Sequence, residues 1–247
     1  MKFSNTGGNW ACLLWRRTVR GVWIDAIHVA NIGGLLSLDV PCVSIALRVG
    51  ADVCTGLICH CGRLLNSAGL HGLSCCLNAG CFVCHTELNL ILKQSLAWAN
   101  IPLILEPSGL SRCDGNRPDG LTLCPWSQGR CLVGDVTVNN SFASHILGAV
   151  VRARSTASVA ERNKILKYSD LSANYIFHPV AFETFVGVGP LTARFLFSLA
   201  TCLAEVTGEA CEGPWLFQRI SLAITYGNAA IAIKEVSQCP QLFNSRC

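Results

Sequence analysis

Two groups of side chains in this 247-residue chain have types and spacings that could bind metal ions. The first group is Cys59-x-Cys61, followed by His71 and then Cys75. Thiolates and an imidazole in two short pairs can close a tetrahedral zinc site. Buried cysteines and a core histidine explain the pattern equally well, because a free cysteine packs as a small hydrophobic residue. Further side chains in or beside this stretch are alternative ligands: Cys54, His60, Cys76, Cys81, Cys84 and His85.

The second group contains two carboxylates, Asp119 and Asp135, with Lys164 and Lys167 further along the chain. An antiparallel pair of strands can bring the two carboxylates together, where they can hold Mg²⁺, an ion that prefers oxygen ligands. Such an ion activates water for phosphodiester cleavage, and a lysine stabilises charge in the transition state. The competing interpretation is structural, since Pro-Asp-Gly is a common turn and a strand aspartate can lie on the surface.

A basic run between residues 152 and 167 would suit a phosphate backbone. It holds five basic side chains and one acid, Glu161, so its excess of four equals the net charge of the chain, +4. A run of this kind is more often a solvated face, so it is weak evidence by itself. Nucleic-acid contacts are predicted at Arg117, Arg152, Arg154 and Arg162.

Hydrophobic periodicity predicts the elements that position these residues. Helices are expected at 38–49, 87–98, about 158–172, 190–206 and 214–233. Strands are expected at 103–106, 120–124, 130–138 and 175–182, the middle two as a hairpin. In the third strand Asp135 shares a face with Val133 and Thr137, opposite Leu132 and Val136. The fold class predicted is α+β, a small sheet flanked by helices and preceded by an irregular Cys/His module at 54–84.

Cysteine content and hydropathy argue against two classes of protein, secreted disulfide scaffolds and membrane proteins. Sixteen cysteines are about 6.5% of the chain, below the roughly 8–10% typical of short disulfide scaffolds. The cysteines cluster, and the N-terminus does not read as a signal peptide, so an intracellular, reducing location is expected. A secreted disulfide protein remains the alternative on cysteine count alone. Mean hydropathy is +0.43, but the longest uncharged run, 64–86, contains three glycines, so no membrane span and no membrane partner are expected.

Several short motifs follow one another along the chain. The main ones are CHCG at 59–62, GLHGLSC at 69–75, His85, ILEP at 104–107, RPDGLTL at 117–123 and DVTV at 135–138. Supporting ones are GVW at 21–23, ALRVG at 46–50, Lys167-Tyr168, YIFHP at 175–179, Glu183-Thr184 and LFQRIS at 216–221. In this order they resemble the C-terminal part of non-LTR retrotransposon polyproteins, over residues 19–232. That class carries a Cys-Cys-His-Cys knuckle and a restriction-like endonuclease after its reverse transcriptase.

The resemblance implies a PD-(D/E)XK-like fold with Asp119 and Asp135 as catalytic Mg²⁺ ligands. It implies a structural zinc knuckle formed by Cys59, Cys61, His71 and Cys75. It implies that Lys164 or Lys167 supplies the catalytic lysine and that Glu106 is an auxiliary acid. The chain then divides into a helical lead-in (1–53), a zinc-knuckle-like module (54–84), an endonuclease domain (85–235) and a tail (236–247).

The activity implied is nicking of target DNA, whose new 3′ end primes reverse transcription. The implied partners are DNA, element RNA and a reverse transcriptase domain that this chain does not contain, and the implied location is the nucleus. Cys81 and Cys84 stand where the resembling family has basic residues. The alternative function is therefore a catalytically inactive, nucleic-acid-binding remnant of such an element.

Overall fold

The computed structural model describes residues 39–54, 58–59, 61–73, 75, 80–110, 117–140 and 155–237. Arg152, Arg154, His60 and Cys76 lie outside the described residues, as do the motif at 21–23 and residues 238–247 of the predicted tail. Five helices are described: α1 (Asp39–Val49), α2 (Gly80–Trp98), α3 (Ser155–Lys167), α4 (Pro190–Thr207) and α5 (Glu212–Ser237). Four strands are described: β1 (Leu103–Leu105), β2 (Gly120–Thr122), β3 (Leu132–Asn139) and β4 (Ile176–Glu183). The predicted α+β class is confirmed.

The strands form one mixed sheet in the order β1-β2-β3-β4. β1 and β2 are antiparallel, as are β2 and β3, where Gly120 lies opposite Gly134. β3 and β4 are parallel, with Asp135 opposite Pro179 and Thr137 opposite Ala181. A parallel pair requires a crossover, which contains α3. The crossover brings this lysine-bearing helix against the sheet.

The two faces of β3 have different neighbours, as its alternating sequence predicts. Leu132 and Val136 pack into the main core with side chains of α2, α4 and α5. Cross-strand partners point to the same face, so Asp135 and Thr137 share the face of Ala181. Ala181 packs in a separate cluster with Ala157 and Ala160 of α3. Asp135 therefore faces α3.

Helix α2 begins at Gly80, seven residues before the predicted start at 87, so the last residues of the 54–84 segment are helical and not irregular. Cys84 lies one turn before Leu88 and is buried in the same core, 4% exposed. It packs against Gly227 of α5, where an added Cβ would lie 2.8 Å from the Cβ of Cys84. The prediction was wrong here because cysteines were considered as ligands, whereas Cys84 packs as a hydrophobic residue.

Two buried carboxylates accept hydrogen bonds from groups at the N-termini of helices beside the sheet. Glu183, at the end of β4, accepts hydrogen bonds from the Thr156 hydroxyl at 2.7 Å and the Ala157 amide at 3.3 Å. Glu161, on α3, accepts hydrogen bonds from the Thr192 amide and hydroxyl, both at 2.8 Å. Free amides at a helix N-terminus favour a negative charge, so these carboxylates join α3 to β4 and to α4.

A helix that crosses a bilayer needs about 20 predominantly apolar residues. Within the described ranges, no helix is both long enough and apolar enough to cross a membrane.

His178 on β4 gives a prediction about acid stability. Its Nδ1 lies 3.1 Å from the Pro179 carbonyl and its ring centroid 5.1 Å from that of Phe195. Burial lowers the pKa of His178 to about 4. Because the unfolded chain then binds the proton more readily, stability is present above pH 6.5 and is lost as the pH falls toward 4. Between pH 7 and 4.5 this histidine should account for about 2 kcal/mol of lost stability.

Urea unfolding of the wild type and His178→Gln at both pH values checks this expectation. The neutral glutamine cannot take up the proton, so the variant should lose about 2 kcal/mol less than the wild type on acidification. Equal losses in the two proteins would contradict the assignment.

Candidate metal centres

The four predicted zinc ligands come together in space. Cys59 and Cys75 have their Sγ atoms 3.5 Å apart, and Cys61 Sγ lies 3.2 Å from His71 Nε2. All four donor atoms lie within 4.8 Å of one another. A tetrahedral ion with bonds of roughly 2.0–2.3 Å separates its ligands by about 3.5–3.8 Å. The cluster can therefore hold a metal ion such as zinc.

Tight turns bring these ligands together. The Gly62 amide donates a hydrogen bond to the Cys59 carbonyl at 2.8 Å, and Gly62 has a φ of 82°, which favours glycine. This turn sets Cys59 and Cys61 side by side. A second turn before His71 is held by Asn66, whose Oδ1 accepts a hydrogen bond from the Leu70 amide at 2.9 Å. Two local turns therefore present the first three ligands.

The electrostatics of the cluster favour a thiolate. The pKa of Cys61 is lowered to about 7, first by a hydrogen bond from the backbone of Arg63. Hydrogen bonds with Cys59, His71 and Cys75 lower it further, against the opposing effect of burial. Because the thiolate is the form that binds metals, Cys61 is partly prepared for a cation at neutral pH.

The alternative ligands that the structure describes lie elsewhere. Cys54 Sγ donates to the Asn66 carbonyl at 3.4 Å, beside the cluster but turned to the backbone. Cys84 is in the main core, and His85 contacts Asp119 on the sheet. The ten cysteines whose side chains are described form no disulfide. Among the described residues, the four predicted ligands are the ones whose donor atoms come together.

The second candidate centre lies where β2 and β3 separate. Asp119 directly precedes β2, and its Oδ2 accepts a hydrogen bond from the Val136 amide at 2.6 Å. The same Oδ2 lies 3.1 Å from His85 Nε2, and that nitrogen is also 3.2 Å from the Val136 carbonyl oxygen. The Asp119 carboxylate thus accepts the hydrogen bond of the Val136 amide, which a backbone carbonyl would have accepted if β2 were longer. The aspartate is thereby held beside β3.

Asp135 makes its contacts with α3. Lys164 Nζ forms an ion pair with its Oδ2, and the Tyr168 hydroxyl lies 3.3 Å from its Oδ1. Burial raises the pKa of Asp135, the Lys164 ammonium opposes the rise, and the nearby charge of Asp119 adds to it. Asp135 is therefore close enough to Asp119 for the charge of Asp119 to act on it. The predicted pairing of Asp135 with a lysine from the next helix is present.

The other predicted site residues have different surroundings. Glu106 forms an exposed ion pair with Arg117, and its amide donates a hydrogen bond to the Asp119 carbonyl at 2.8 Å. Lys167 Nζ lies 5.0 Å from the ring centre of Tyr168, and its charge lowers the pKa of Asp135. Arg162 is exposed on α3. Lys164, and not Lys167, is thus the lysine that pairs with the strand carboxylate.

Sequence reasoning missed two members of this centre. His85 was considered only as an alternative zinc ligand and as one of the ordered motifs. Tyr168 is 1% exposed, and its hydroxyl joins Asp135 to the Arg117 carbonyl at 3.0 Å. Its position directly after Lys167 was the only available signal, because its partners lie far away in the sequence.

A cavity of about 280 Å³ opens beside His85. Polar groups of β3 and α5, including Thr137 and Asn228, line one part of it, while Leu73 and Ile231 form an apolar part. The side chain of His85 is 35% exposed and that of Asp119 is 18% exposed. Small solutes can therefore reach the His85–Asp119 pair.

The sequence was compared with known proteins. No protein-family model matches the chain, and no curated protein matches it in sequence.

Proposed function

We propose that this chain is a metal-dependent DNA endonuclease domain derived from a non-LTR retrotransposon, with a PD-(D/E)XK-like fold and a zinc knuckle. The observation that carries the proposal is the contact of Asp135 on β3 with Lys164 on α3, next to Asp119 at the start of β2. A buried aspartate-lysine pair beside a second carboxylate supplies both the ligands for a cation and a fixed positive charge. The mixed sheet with helices on both faces supports the same interpretation.

The donor set fits a hard divalent ion such as Mg²⁺. Asp119 and Asp135 offer carboxylate oxygens from adjacent strands, and their charges interact. Two neighbouring carboxylates repel each other unless a positive charge lies close by. Lys164 supplies such a charge for Asp135, and a bound cation would supply it for both. Mg²⁺ bound here would activate water and offset charge on a phosphodiester.

The residues of the chain have distinct roles in the proposed cleavage. Asp119 and Asp135 orient the cation, and the Tyr168 hydroxyl restrains Asp135 through its Oδ1. Lys164 carries a positive charge from a rigid helix into the centre, where it stabilises the charge that develops on the phosphate. The Glu106 amide donates a hydrogen bond to the Asp119 carbonyl, so Glu106 positions the start of β2 and does not contact the substrate.

The zinc module supplies the second part of the proposal. Cys59, Cys61, His71 and Cys75 bind zinc, and the module contacts nucleic acid together with the basic residues of α3. Arg162 is the exposed basic residue of this set that the structure describes. The partners proposed are target DNA, element RNA and a reverse transcriptase domain, and the location proposed is the nucleus.

Nicking of supercoiled plasmid in the presence of Mg²⁺ tests the proposal. The rate should fall at least about 100-fold in Asp119→Asn, Asp135→Asn and Lys164→Met, because each removes a charge that acts in the transition state. Lys167→Met is the matched control, since it removes a lysine from the same helix that makes no ion pair with Asp135, and it should stay within a few-fold of wild type.

Two results would overturn the proposal. One is nicking at the same rate by wild type and the Asp119 and Asp135 variants, which would mean that a contaminant cleaves. The other is a folded, zinc-loaded wild type that does not nick. In that case, DNA binding that weakens with salt would support the non-catalytic remnant instead.

A further inference from the structure

We propose that the cavity beside His85 receives one nucleobase extruded from the DNA duplex next to the cleavage centre. This inference rests on the proposed function and names the part of the substrate that the site reads. It is carried by the size of the cavity, by its lining and by a buried amide with an unpaired oxygen.

The cavity has the size and the walls that a single base requires. An apolar cavity of roughly 150 Å³ holds one benzene ring, so about 280 Å³ accommodates the two rings of a purine. Its apolar walls come from the zinc module and from α2, β3 and α5, through Leu73, Cys84, Val138 and Ile231. Such walls replace the stacking that a base loses when it leaves the duplex.

Asn228 supplies an unpaired hydrogen-bond acceptor. It lines the cavity although the residue is only 7% exposed. Its Nδ2 donates to the Thr184 carbonyl at 2.5 Å, and because a carbonyl can only accept, this bond fixes which way the amide is turned. Its Oδ1 accepts no hydrogen bond from any residue that the structure describes. A buried acceptor without a donor is unfavourable, so the site favours a ligand that carries an N–H group.

The polar lining therefore selects bases with an exocyclic amino group. Asn228 Oδ1 can accept a hydrogen bond from such a group, as asparagine does when it reads adenine. Thr137 and Thr184 line the same cavity, and their hydroxyls donate to the side chain and the carbonyl of Asn139. A hydroxyl that has donated its proton still accepts one. Adenine and cytosine meet these acceptors with an amino group, whereas thymine has none.

The cavity lies within reach of the proposed cleavage centre. His85 lines it, and His85 Nε2 is 3.1 Å from Asp119 Oδ2. Thr137 also lines it and follows Asp135 by two residues on the same face of β3, about 7 Å along the strand. A base beside the scissile phosphate can therefore enter the cavity while its strand stays at the centre. Ordered water is the competing occupant, because the cavity has polar groups.

Fluorescence of 2-aminopurine tests the proposal in DNA. This base is quenched when it is stacked and bright when it is extruded into surroundings without aromatic rings, and the described lining contains no Phe, Tyr or Trp. We use duplexes that carry it at successive positions around the mapped nick, with Ca²⁺ in place of Mg²⁺ to prevent cleavage. The wild type should raise the fluorescence at least about threefold at one position.

Two variants of α5 locate the signal. Ile231→Phe fills the cavity and should abolish the rise, while DNA binding, followed by anisotropy, stays within about threefold of wild type. Ala230→Phe is the matched control, because it adds the same ring at the exposed neighbouring position, and it should keep the rise.

Free nucleosides test the cavity independently of cleavage. In saturation-transfer NMR with the zinc-loaded chain, deoxyadenosine should bind at least about 10-fold more tightly than purine deoxyriboside, which lacks the amino group and leaves Asn228 Oδ1 unpaired. Ile231→Phe should bind neither nucleoside.

The outcomes separate the two proposals. No rise at any position, in a wild type that binds and nicks DNA, would overturn the base pocket and leave the proposed function standing. Equal binding of the two nucleosides, or a rise that persists in Ile231→Phe, would overturn it as well. A wild type that does not nick but discriminates between the nucleosides supports the pocket while the proposed function fails, and this discrimination counts even if Ile231→Phe does not fold. If the wild type binds neither DNA nor deoxyadenosine, both proposals fail.

Discussion

Removal of zinc should unfold residues 51–75 locally while the sheet and its helices remain folded. Among the described residues of this module, the cluster around the ligands has two other buried side chains, Cys54 and Leu65, with Val53 packed against it, and Leu73 is buried outside that cluster. So small a core stabilises little by itself, whereas structural zinc contributes roughly 10–16 kcal/mol in small zinc modules. The ion should therefore account for most of the stability of this segment.

Hydrogen exchange measures the effect amide by amide. The Val53 and Cys54 amides donate to the Ser67 carbonyl at 2.8 and 3.1 Å, and the Cys59 amide donates to the Arg63 carbonyl at 2.9 Å. Their protection should fall at least about 100-fold after chelation, whereas amides near buried Leu199 of α4 should keep theirs.

Substitutions separate zinc loss from general damage. Cys61→Ser should lose the single zinc ion in native mass spectrometry and reproduce the exchange pattern of the chelated protein. Cys211→Ser changes an exposed cysteine outside the cluster and should retain one zinc per chain. Eight intact disulfides, or full protection without zinc, would contradict the assignment and favour the disulfide alternative.

Replacement of Glu161 should destabilise the whole fold by about 3 kcal/mol, measured by urea unfolding of Glu161→Ala. The side chain is buried and accepts hydrogen bonds from the Thr192 amide, the Thr192 hydroxyl and the Leu191 amide. Alanine would leave the Leu191 and Thr192 amides without this acceptor at the N-terminus of α4, and the Thr192 hydroxyl would keep only the Pro179 carbonyl, 3.5 Å away. Glu161→Gln keeps one acceptor oxygen and should cost about 1 kcal/mol.

A double-mutant cycle with Gly189 isolates this contact. A Cβ added at Gly189 would overlap Glu161 Oε1, so Gly189→Ala must displace the carboxylate. Gly189→Ala should therefore cost about 2 kcal/mol in the wild type and much less in Glu161→Ala, where the obstructing group is gone. Additive losses would show that Glu161 and Gly189 act independently, contrary to the prediction.

Local pattern was sufficient for most of the elements. The predicted strand at 130–138 corresponds to β3 (Leu132–Asn139), and the closing helices predicted at 190–206 and 214–233 correspond to α4 and α5. Their signals are residue periodicity and proline, which act over a few positions. The start of α2 was missed because Cys84 is compatible with a ligand and with a core residue, and only packing against α5 distinguishes the two.

In the candidate centres, too, some features follow from the local sequence and others depend on tertiary packing. The sequence alone determined that Asp135 lies opposite Leu132 and Val136, since side chains alternate along a strand, and it placed Lys164 and Lys167 within one predicted helix. It could not choose between the lysines, because that choice depends on how α3 packs against β3. It could not pair His85 with Asp119, 34 positions away, or Glu161 with Thr192, 31 positions away. Those contacts join separate elements, and only tertiary packing decides which side chains meet there.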